Sequence, residues 1–548
     1  MQEKNFPAIL ITIIKNNNVG GIVLKNVGSI FTTAYLLLMF GIYPFFMDQG
    51  YVNIGDSKYR FFIYCSLGAL AILSLIGVIH VLQVVSQRYK EKEAYLINWD
   101  NLSITGLFVL LYATEIFISY TLSDYRQEAL WGTEGWNIGL ILLLALCGLY
   151  FWLSLFWDGK SYIWYVCMAA SAMVFILGIL DRFSVYLLPL EVRDPAFIST
   201  LGNINWFCGY LSVLSPIGIS IFLFHSPTGA KRWISGIYIG IAFIAGFCQG
   251  SSSVMLFWSA LFFIILWIST ARKSWLVDCF LLVSLWGFSA QAVRIMRILA
   301  PDGYNYDTNS LCAQLTDSSI TFWVGVISFG IYLLLKLKSH KWEEIDSEMQ
   351  ILIRRLITGL LAGAVLIWLF LAGVNTWIGI PGFEKYSSLL LNHSWGNGRG
   401  ATWQAGINAF REMTFIHKLF GVGPDCFSSY VYSLPDVAAM LRENFGSSRL
   451  TNAHNELLTG LVNTGIFGIC FYLGIFLSLI GRCMKTAKDN PALFLYVVCL
   501  FCYLAHNMVS FAQVLNLPFA FLLIAMGEKE LKMYRKKEIN IDNKTQCF

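Results

Sequence analysis

Leu356-Ile-Thr-Gly-Leu-Leu-Ala-Gly-Ala-Val-Leu-Ile-Trp-Leu-Phe-Leu-Ala-Gly-Val374 carries no charged side chain from end to end. About 20 predominantly apolar residues in helix cross the hydrocarbon core of a bilayer, and 18 or more are too many for an ordinary soluble helix. The same pattern recurs along the chain. Fourteen runs lie near 30–47, 61–84, 103–122, 137–156, 162–180, 206–224, 234–248, 253–269, 275–293, 320–336, 356–374, 458–480, 491–508 and 511–526, the seventh and last being short. Only 13% of the 548 residues are charged and 57% are hydrophobic, where a soluble domain carries about 25% charged. An ordinary cytosolic enzyme, a secreted disulfide scaffold and a disordered chain are excluded. The fold class is all-α: a polytopic integral membrane protein of about 14 transmembrane helices with a small helical outer loop domain.

Lys and Arg favour the cytoplasmic side of a membrane. If the chain starts inside and alternates, most of its 38 Lys and Arg fall in inside segments. Both termini are then cytoplasmic, in the cell (inner) membrane. The net charge of +5 reports this topology and gives no reason to expect a nucleic-acid partner. Residues 1–29 read as a cytoplasmic segment. Its short apolar run Ala8–Ile14 suits a helix lying in the inner interface rather than a signal peptide. Residues 30–374 hold spans 1 to 11, and 458–526 spans 12 to 14. The basic tail 527–548, with Lys529, Lys532, Arg535, Lys536 and Lys537, reads as a solvated anchor.

Most of the 13 cysteines fall inside apolar runs, where they act as small hydrophobes. Cys499 and Cys502 form one C-x-x-C, weak evidence for zinc without a second pair. Cys312 and Cys426 lie in outer loops, and the sequence leaves open whether they are bridged.

One segment breaks the pattern. Residues 375–457, on the outer side, are far longer than a structureless connection usually runs, and Thr402–Met413 looks helical. The segment holds His393, His417 and His454 with Arg399, Arg411, Arg442 and Arg449, a concentration that suggests a binding or catalytic loop over the bundle. At its start, Trp395-Gly-Asn-Gly-Arg399-Gly-Ala-Thr-Trp403 places glycines where backbone can approach a ligand. A helix beginning just after them would offer N–H groups to an anion, with Arg399 as a bidentate donor. Arg399 and Trp403, four apart, would share a helix face. Phe420-Gly-Val-Gly-Pro-Asp425 is a tight, helix-breaking turn containing Gly421 and Gly423. Ala453-His454-Asn455-Glu456 then leads into the twelfth span, with Gly465 and Gly468 allowing close packing below. A second pair, His506-Asn507, reads as a buried, hydrogen-bonded structural element. Glu115, inside the third span, is costly in hydrocarbon; a paired or protonated structural acid is the favoured reading.

His454-Asn455, nine residues, Gly465, two residues, Gly468 resembles the signature of the O-antigen ligase superfamily, which includes O-antigen polymerases and bacterial protein oligosaccharyltransferases. Gly398-Arg399-Gly-Ala-Thr-Trp403 with Gly421-Val-Gly423 is similar to the first half of the same outer domain. Ser199-Thr-Leu-Gly-Asn203-Ile-Asn205 resembles a Gly-Asn-x-Asn segment that many members carry. The resemblance covers about residues 195–480. It departs after the seventh span: where many members have Ser-Arg-Gly, this chain reads Gln249-Gly-Ser-Ser-Ser253, and Arg442, Arg449 and Arg182 are the candidates to replace that arginine.

The resemblance implies a glycosyltransferase on the outer membrane face. The donor would be a glycan on undecaprenyl pyrophosphate and the acceptor a glycan, glycolipid or wall polymer, with no cofactor and no metal. His454 would be the general base and Arg399 the pyrophosphate contact. Asn455, Trp403, Arg449, Arg442 and Glu456 would bind substrate, with Asn455 or Glu456 orienting the imidazole. Gly465, Gly468, Gly421, Gly423, Asn203 and Asn205 would be structural. Ligase, polymerase and protein-glycosylating chemistry stay open. From a different class, a transporter of lipid-linked glycan predicts two related halves with charge at mid-membrane, and no internal repeat is visible.

Overall fold

The structure is a computed structural model describing residues 17–91, 102–190, 193–225, 228–308, 310–337, 345–383 and 389–545. The interfacial helix expected over Ala8–Ile14 lies outside the described residues.

Each of the fourteen apolar runs falls largely on a helix, the last only from Leu517. The first seven fall on α1 (Asn17–Leu37, continued by a π-helical turn Leu38–Ile42), α2 (Ile54–Glu91), α3 (Ile104–Leu122), α5 (Leu140–Phe156), α6 (Tyr162–Arg182), α7 (Ile204–Phe224) and α8 (Gly229–Cys248), with the short α4 (Arg126–Trp131) between α3 and α5. Next come α9 (Val254–Ser269), α10 (Lys273–Leu299), the short α11 (Leu311–Asp317), α12 (Ser319–Leu337) and α13 (Ser347–Trp377). Among the described residues ten helices are long and apolar enough to cross a membrane, and α5, α9 and 491–506 are shorter apolar helices. The chain is an all-α multi-pass membrane protein. Its strands among the described residues are the two-residue pair β1 (Phe197–Ile198) and β2 (Gly202–Asn203), antiparallel, just before α7.

Burial sorts the helices into layers. α7 is enclosed along its whole length. With α19 (Phe494–His506) and the first turns of α20 (Leu517–Thr545) it forms the centre of one contiguous apolar core. α12 and α13 lie at the rim with most of their surface exposed, as suits helices whose solvent is lipid rather than protein. The start of the tail departs from the solvated anchor expected of it, while Arg535, Lys536 and Lys537 are exposed as expected. The tail continues α20 without a break to Thr545. Leu531 is buried and Glu528 pairs inside the bundle with Arg482, Nη2 to Oε1 3.1 Å, because the helix keeps an inward face beyond its apolar half.

Between α13 and α18 (Glu456–Thr486) four helices form a layer over one end of the bundle: α14 (Trp395–Glu412), α15 (Phe415–Phe420), α16 (Phe427–Ser433) and α17 (Pro435–Phe445). They share an apolar core of their own, Ala405, Ala409, Phe427, Val431 and Leu441 among others, which reaches Ala129 on α4 and Val462 on α18.

α18 is broken. Gly465 takes φ 67°, ψ −168°, a conformation essentially restricted to glycine. A break strips nearby carbonyls of the amides four residues on, and a buried carbonyl must find another donor. The 420–423 turn supplies it. Val422 N–H donates to Val462 O (3.1 Å) and Gly423 N–H to Asn463 O (3.0 Å), while Ser119 Oγ donates to the same Asn463 oxygen at 3.0 Å. The approach is so close that a Cβ on Gly421 would lie 2.2 Å from Asn463 O, and one on Gly465 2.4 Å from Leu419 O. The expected rigid, glycine-packed helix is therefore two segments joined by a glycine break onto which the outer layer is hydrogen-bonded. Gly465→Ala is expected to destabilise the protein by about 2 kcal/mol or more, read as a lowered thermal midpoint in detergent. Gly330→Ala on α12, where an added Cβ meets nothing within 4 Å, should leave the midpoint unchanged.

Candidate functional site

His454 sits on the loop between α17 and α18 at φ +50°, a left-handed conformation that a non-glycine residue adopts only when its surroundings impose it. The constraints are visible on either side. Its N–H donates to Asn452 Oδ1 (3.0 Å). Ala453 N–H donates to Thr459 Oγ1 (3.0 Å), and Ala453 O accepts the Thr402 hydroxyl of α14 (2.8 Å). The imidazole packs edge-on against Phe511 at 5.2 Å, and Phe511 packs edge-on against Trp136 at 5.0 Å. Burial, joined by the Arg399 cation, pushes the His454 pKa down to about 4, so the ring is neutral at physiological pH.

Arg399 opens the regular part of α14. Gly396, Asn397 and Gly398 ahead of it all have left-handed φ (61°, 61° and 86°), so the chain turns sharply and the helix proper starts after them. Gly398 lies against Phe445, and a Cβ on Gly400 would lie 1.9 Å from Asn392 O. The Ala401 amide donates to His393 O (3.1 Å), so that one N–H of the helix start is taken by its own chain. The Arg399 guanidinium donates from Nε to Val509 O (2.9 Å) and from Nη1 to Gly396 O (2.7 Å).

Arg399 and His454 face one cavity of about 680 Å³, whose walls also include Asn205, Ser251, Tyr306 and Trp395. Asn203 caps α7 by accepting the Asn205 N–H (2.8 Å), and Asn205 Oδ1 accepts the Ser251 hydroxyl (2.6 Å). From Ser251 the polar contacts continue inward to Ser253 (2.8 Å), His506 Nε2 (3.2 Å) and Asn507 (3.1 Å from Nδ1). The carbonyl of Asn507 accepts the Glu456 N–H at 2.9 Å. Segments separated by some 250 residues are thus tied together under the cavity.

The remaining predicted residues are placed elsewhere. Asn455 caps α18 by accepting the Leu458 N–H (3.0 Å) and donates to Met508 O (2.9 Å). Glu456 accepts the Ala512 N–H and lines a separate small cavity with Tyr112, Trp136 and Asp425. Trp403 stands behind Trp395, 5.1 Å ring to ring; it is Trp395 that lines the large cavity. Arg442 and Arg449 line another pocket with Tyr125, Tyr432 and serines 429, 433, 447 and 448, where Arg449 donates to Ser428 Oγ (2.9 Å). Arg182 is buried, donating to the carbonyls of Cys248 (2.7 Å), Gln249 (2.9 Å) and Pro195 (2.9 Å). None of these three arginines lines the large cavity, where Arg399 is the one arginine among the described lining residues. Cys312 and Cys426 are both free thiols, so the bridge left open by the sequence is absent. Glu115 is 2% exposed, and neither carboxylate oxygen has a hydrogen-bond partner among the described residues, so of the paired and protonated alternatives the paired one is not seen.

Trp368, Trp395 and Tyr306 were not singled out from the sequence, although all three line the cavity. Trp395 stood inside the glycine-arginine motif. Trp368 looked like any apolar span residue, and no local signal marks Tyr306. Asp425 was read only as part of a turn, yet its carboxylate accepts the N–H groups of Thr133 (2.8 Å) and Ile138 (3.0 Å). Burial raises its pKa to about 7.

The fold and the cavity define a class first: a multi-pass helical membrane protein with a polar, aromatic-walled site at one end of the bundle. Residues 308–473 match the family model described as O-antigen ligase, which bears out the superfamily resemblance. That stretch contains Arg399, His454 and the glycines at 421, 423, 465 and 468. The match supports membrane glycan processing, with lipid-linked glycan as the substrate class. A search of curated proteins found no match.

The coupling of the pair has a measurable sign. The neutral imidazole should gain its proton only as pH drops toward about 4, read by NMR titration of the His454 ring. Replacing Arg399 by Gln removes a cation that disfavours the imidazolium. The His454 titration should then move to higher pH; an unmoved titration would show that the two side chains are not electrostatically coupled.

Proposed function

We propose that the chain transfers a glycan from undecaprenyl pyrophosphate to an acceptor hydroxyl, as an O-antigen ligase-like enzyme of surface polysaccharide assembly. The observation that carries this reading is the convergence of Arg399 and His454, 55 positions apart in sequence, on one cavity with Asn205 and Ser251 from the earlier helices.

In the proposed step the acceptor oxygen attacks the anomeric carbon while the bond from that carbon to the pyrophosphate oxygen breaks. The hydroxyl proton passes to a nitrogen of His454, and undecaprenyl pyrophosphate leaves with the bonding electron pair. Displacement from the opposite face inverts the anomeric centre. A neutral imidazole is the form able to take the proton. Arg399 neutralises charge developing on the leaving group, which a desolvated site makes more effective. Trp395 and Tyr306 offer flat surfaces suited to sugar rings. Because Arg399 is the one arginine on the cavity wall among the described residues, the leaving group relies on it together with neutral donors such as Ser251. The reading takes the cavity to lie on the extracytoplasmic side, and the step to need no metal.

The test uses purified protein in lipid with undecaprenyl-pyrophosphate glycan from the host, the product followed by mass spectrometry. Glycan on a new acceptor is expected; growth of the lipid-linked chain would instead identify a polymerase. His454→Ala should lower the rate by about 10²–10⁴ and Arg399→Ala by about 10²–10³, with chelator leaving the wild-type rate unchanged. Wild-type rates in His454→Ala would overturn the mechanism. Glycan appearing untransferred on the opposite leaflet would make the protein a transporter.

A further inference from the structure

A second cavity, of about 400 Å³, lies at the other end of the bundle. α18 starts beside His454 and runs to Thr486, and the cavity is bounded by residues at that far end, Met484 and Lys488. α13 connects the two levels: Arg354 lines this cavity and Trp368 lines the His454 cavity, 14 residues or roughly 21 Å apart at the helical rise.

Three cations border it, Arg272 at the start of α10, Arg354 on α13 and Lys488 after α18. Among the described residues none of them pairs with a carboxylate and no Asp or Glu lines the cavity. The nearby acid of α10, Asp278, is taken by Arg232 at 2.6 Å. Both arginines are held by ring faces and not by acids: Arg354 lies 4.3 Å from the ring centroid of Trp267, and Arg272 4.6 Å from that of Trp275. Arg354 also donates from Nε to Thr270 Oγ1 (2.9 Å) and Trp267 O (3.3 Å) at the end of α9. A guanidinium held by its face and one edge keeps its remaining in-plane donors for a tetrahedral anion.

Apart from Gln350, whose amide donates to Ile345 O (2.7 Å), the rest of the wall is apolar, with Ile268, Met484 and Phe494. α13, which closes the cavity on one side, exposes Leu356, Leu360 and Leu361 in the following turns. Such a surface in a membrane protein is in contact with acyl chains. A cluster of unpaired cations over an apolar wall, between helices at one membrane face, is the chemistry that takes a phosphate headgroup whose chains remain in the bilayer.

We propose that the cavity formed by Arg272, Arg354 and Lys488 is a binding site for the phosphodiester headgroup of an anionic glycerophospholipid, separate from the site of glycan transfer. The proposal is independent of the transfer reading, since it concerns other residues at the opposite face.

The full chain in detergent would be titrated with phosphatidylglycerol, phosphatidylcholine and inorganic phosphate, and retained lipid counted by native mass spectrometry. One phosphatidylglycerol retained in preference to phosphatidylcholine is the expected result. Arg272→Gln with Lys488→Gln, which leaves the Arg354 contacts to α9 in place, should weaken that binding about tenfold or more. Arg60→Gln, at an exposed ion pair with Asp48 on another part of the surface, should not. Equal retention of the two lipids, or undiminished binding in the double variant, would overturn the proposal. So would full competition by inorganic phosphate at concentrations matched to the lipid, which would mark a site for a free anion. A thermal midpoint of the double variant equal to that of the wild type without lipid would show that lost binding is not lost folding.

Discussion

The break in α18 at Gly465 is the constraint on which the site depends. A transmembrane helix normally satisfies its backbone internally, and a freed carbonyl at membrane depth is costly unless protein supplies a donor. Here the amides of Val422 and Gly423 bond the carbonyls of Val462 and Asn463. That pair of bonds welds the outer layer to a membrane helix and allows no side chain at 421 or 465. The start of α18 is held separately, Asn455 and Glu456 being bonded to the 507–512 segment. His454 lies immediately before the second anchorage, its strained φ held by the Asn452, Thr459 and Thr402 bonds on either side.

The same economy explains the arginines. Arg182, Arg442 and Arg449 each had a reason to be at the missing Ser-Arg-Gly position, but each is committed elsewhere. Arg182 closes the carbonyl end of α8 and stacks 4.3 Å from the Tyr306 centroid. It therefore shapes the cavity wall from behind. Arg442 and Arg449 belong to another pocket altogether. Ser251, in the segment that lacks the arginine, lines the cavity and is linked to Asn205 and His506 through hydroxyls. Positive charge is given up at this point of the wall and replaced by neutral hydrogen-bonding groups.

Two polar regions lie at opposite ends of the bundle and differ in how their cations are held. Arg399 is fixed by backbone carbonyls, which sets its direction. Arg272 and Arg354 rest on indole faces, and the Nε edge of Arg354 is tied as well to Thr270 and Trp267. The first arrangement suits one bond in one substrate, the second a headgroup that arrives from a fluid phase.

The sequence alone determined that the chain is a helical membrane bundle, because apolar run length and charge spacing are local quantities and a bilayer admits few other solutions. It also determined that the glycine, arginine and histidine motifs gather near 395–456, since they are contiguous there. It did not determine which of those residues share a cavity. Asn455, Glu456 and Trp403 adjoin the key positions in sequence, yet a single residue of helix advance or one left-handed turn sends a side chain to a different wall. Asn205, Ser251, Tyr306 and Trp368 reach the cavity from four other segments, a meeting that only the packing of α7, α9, α11 and α13 against the outer layer could decide.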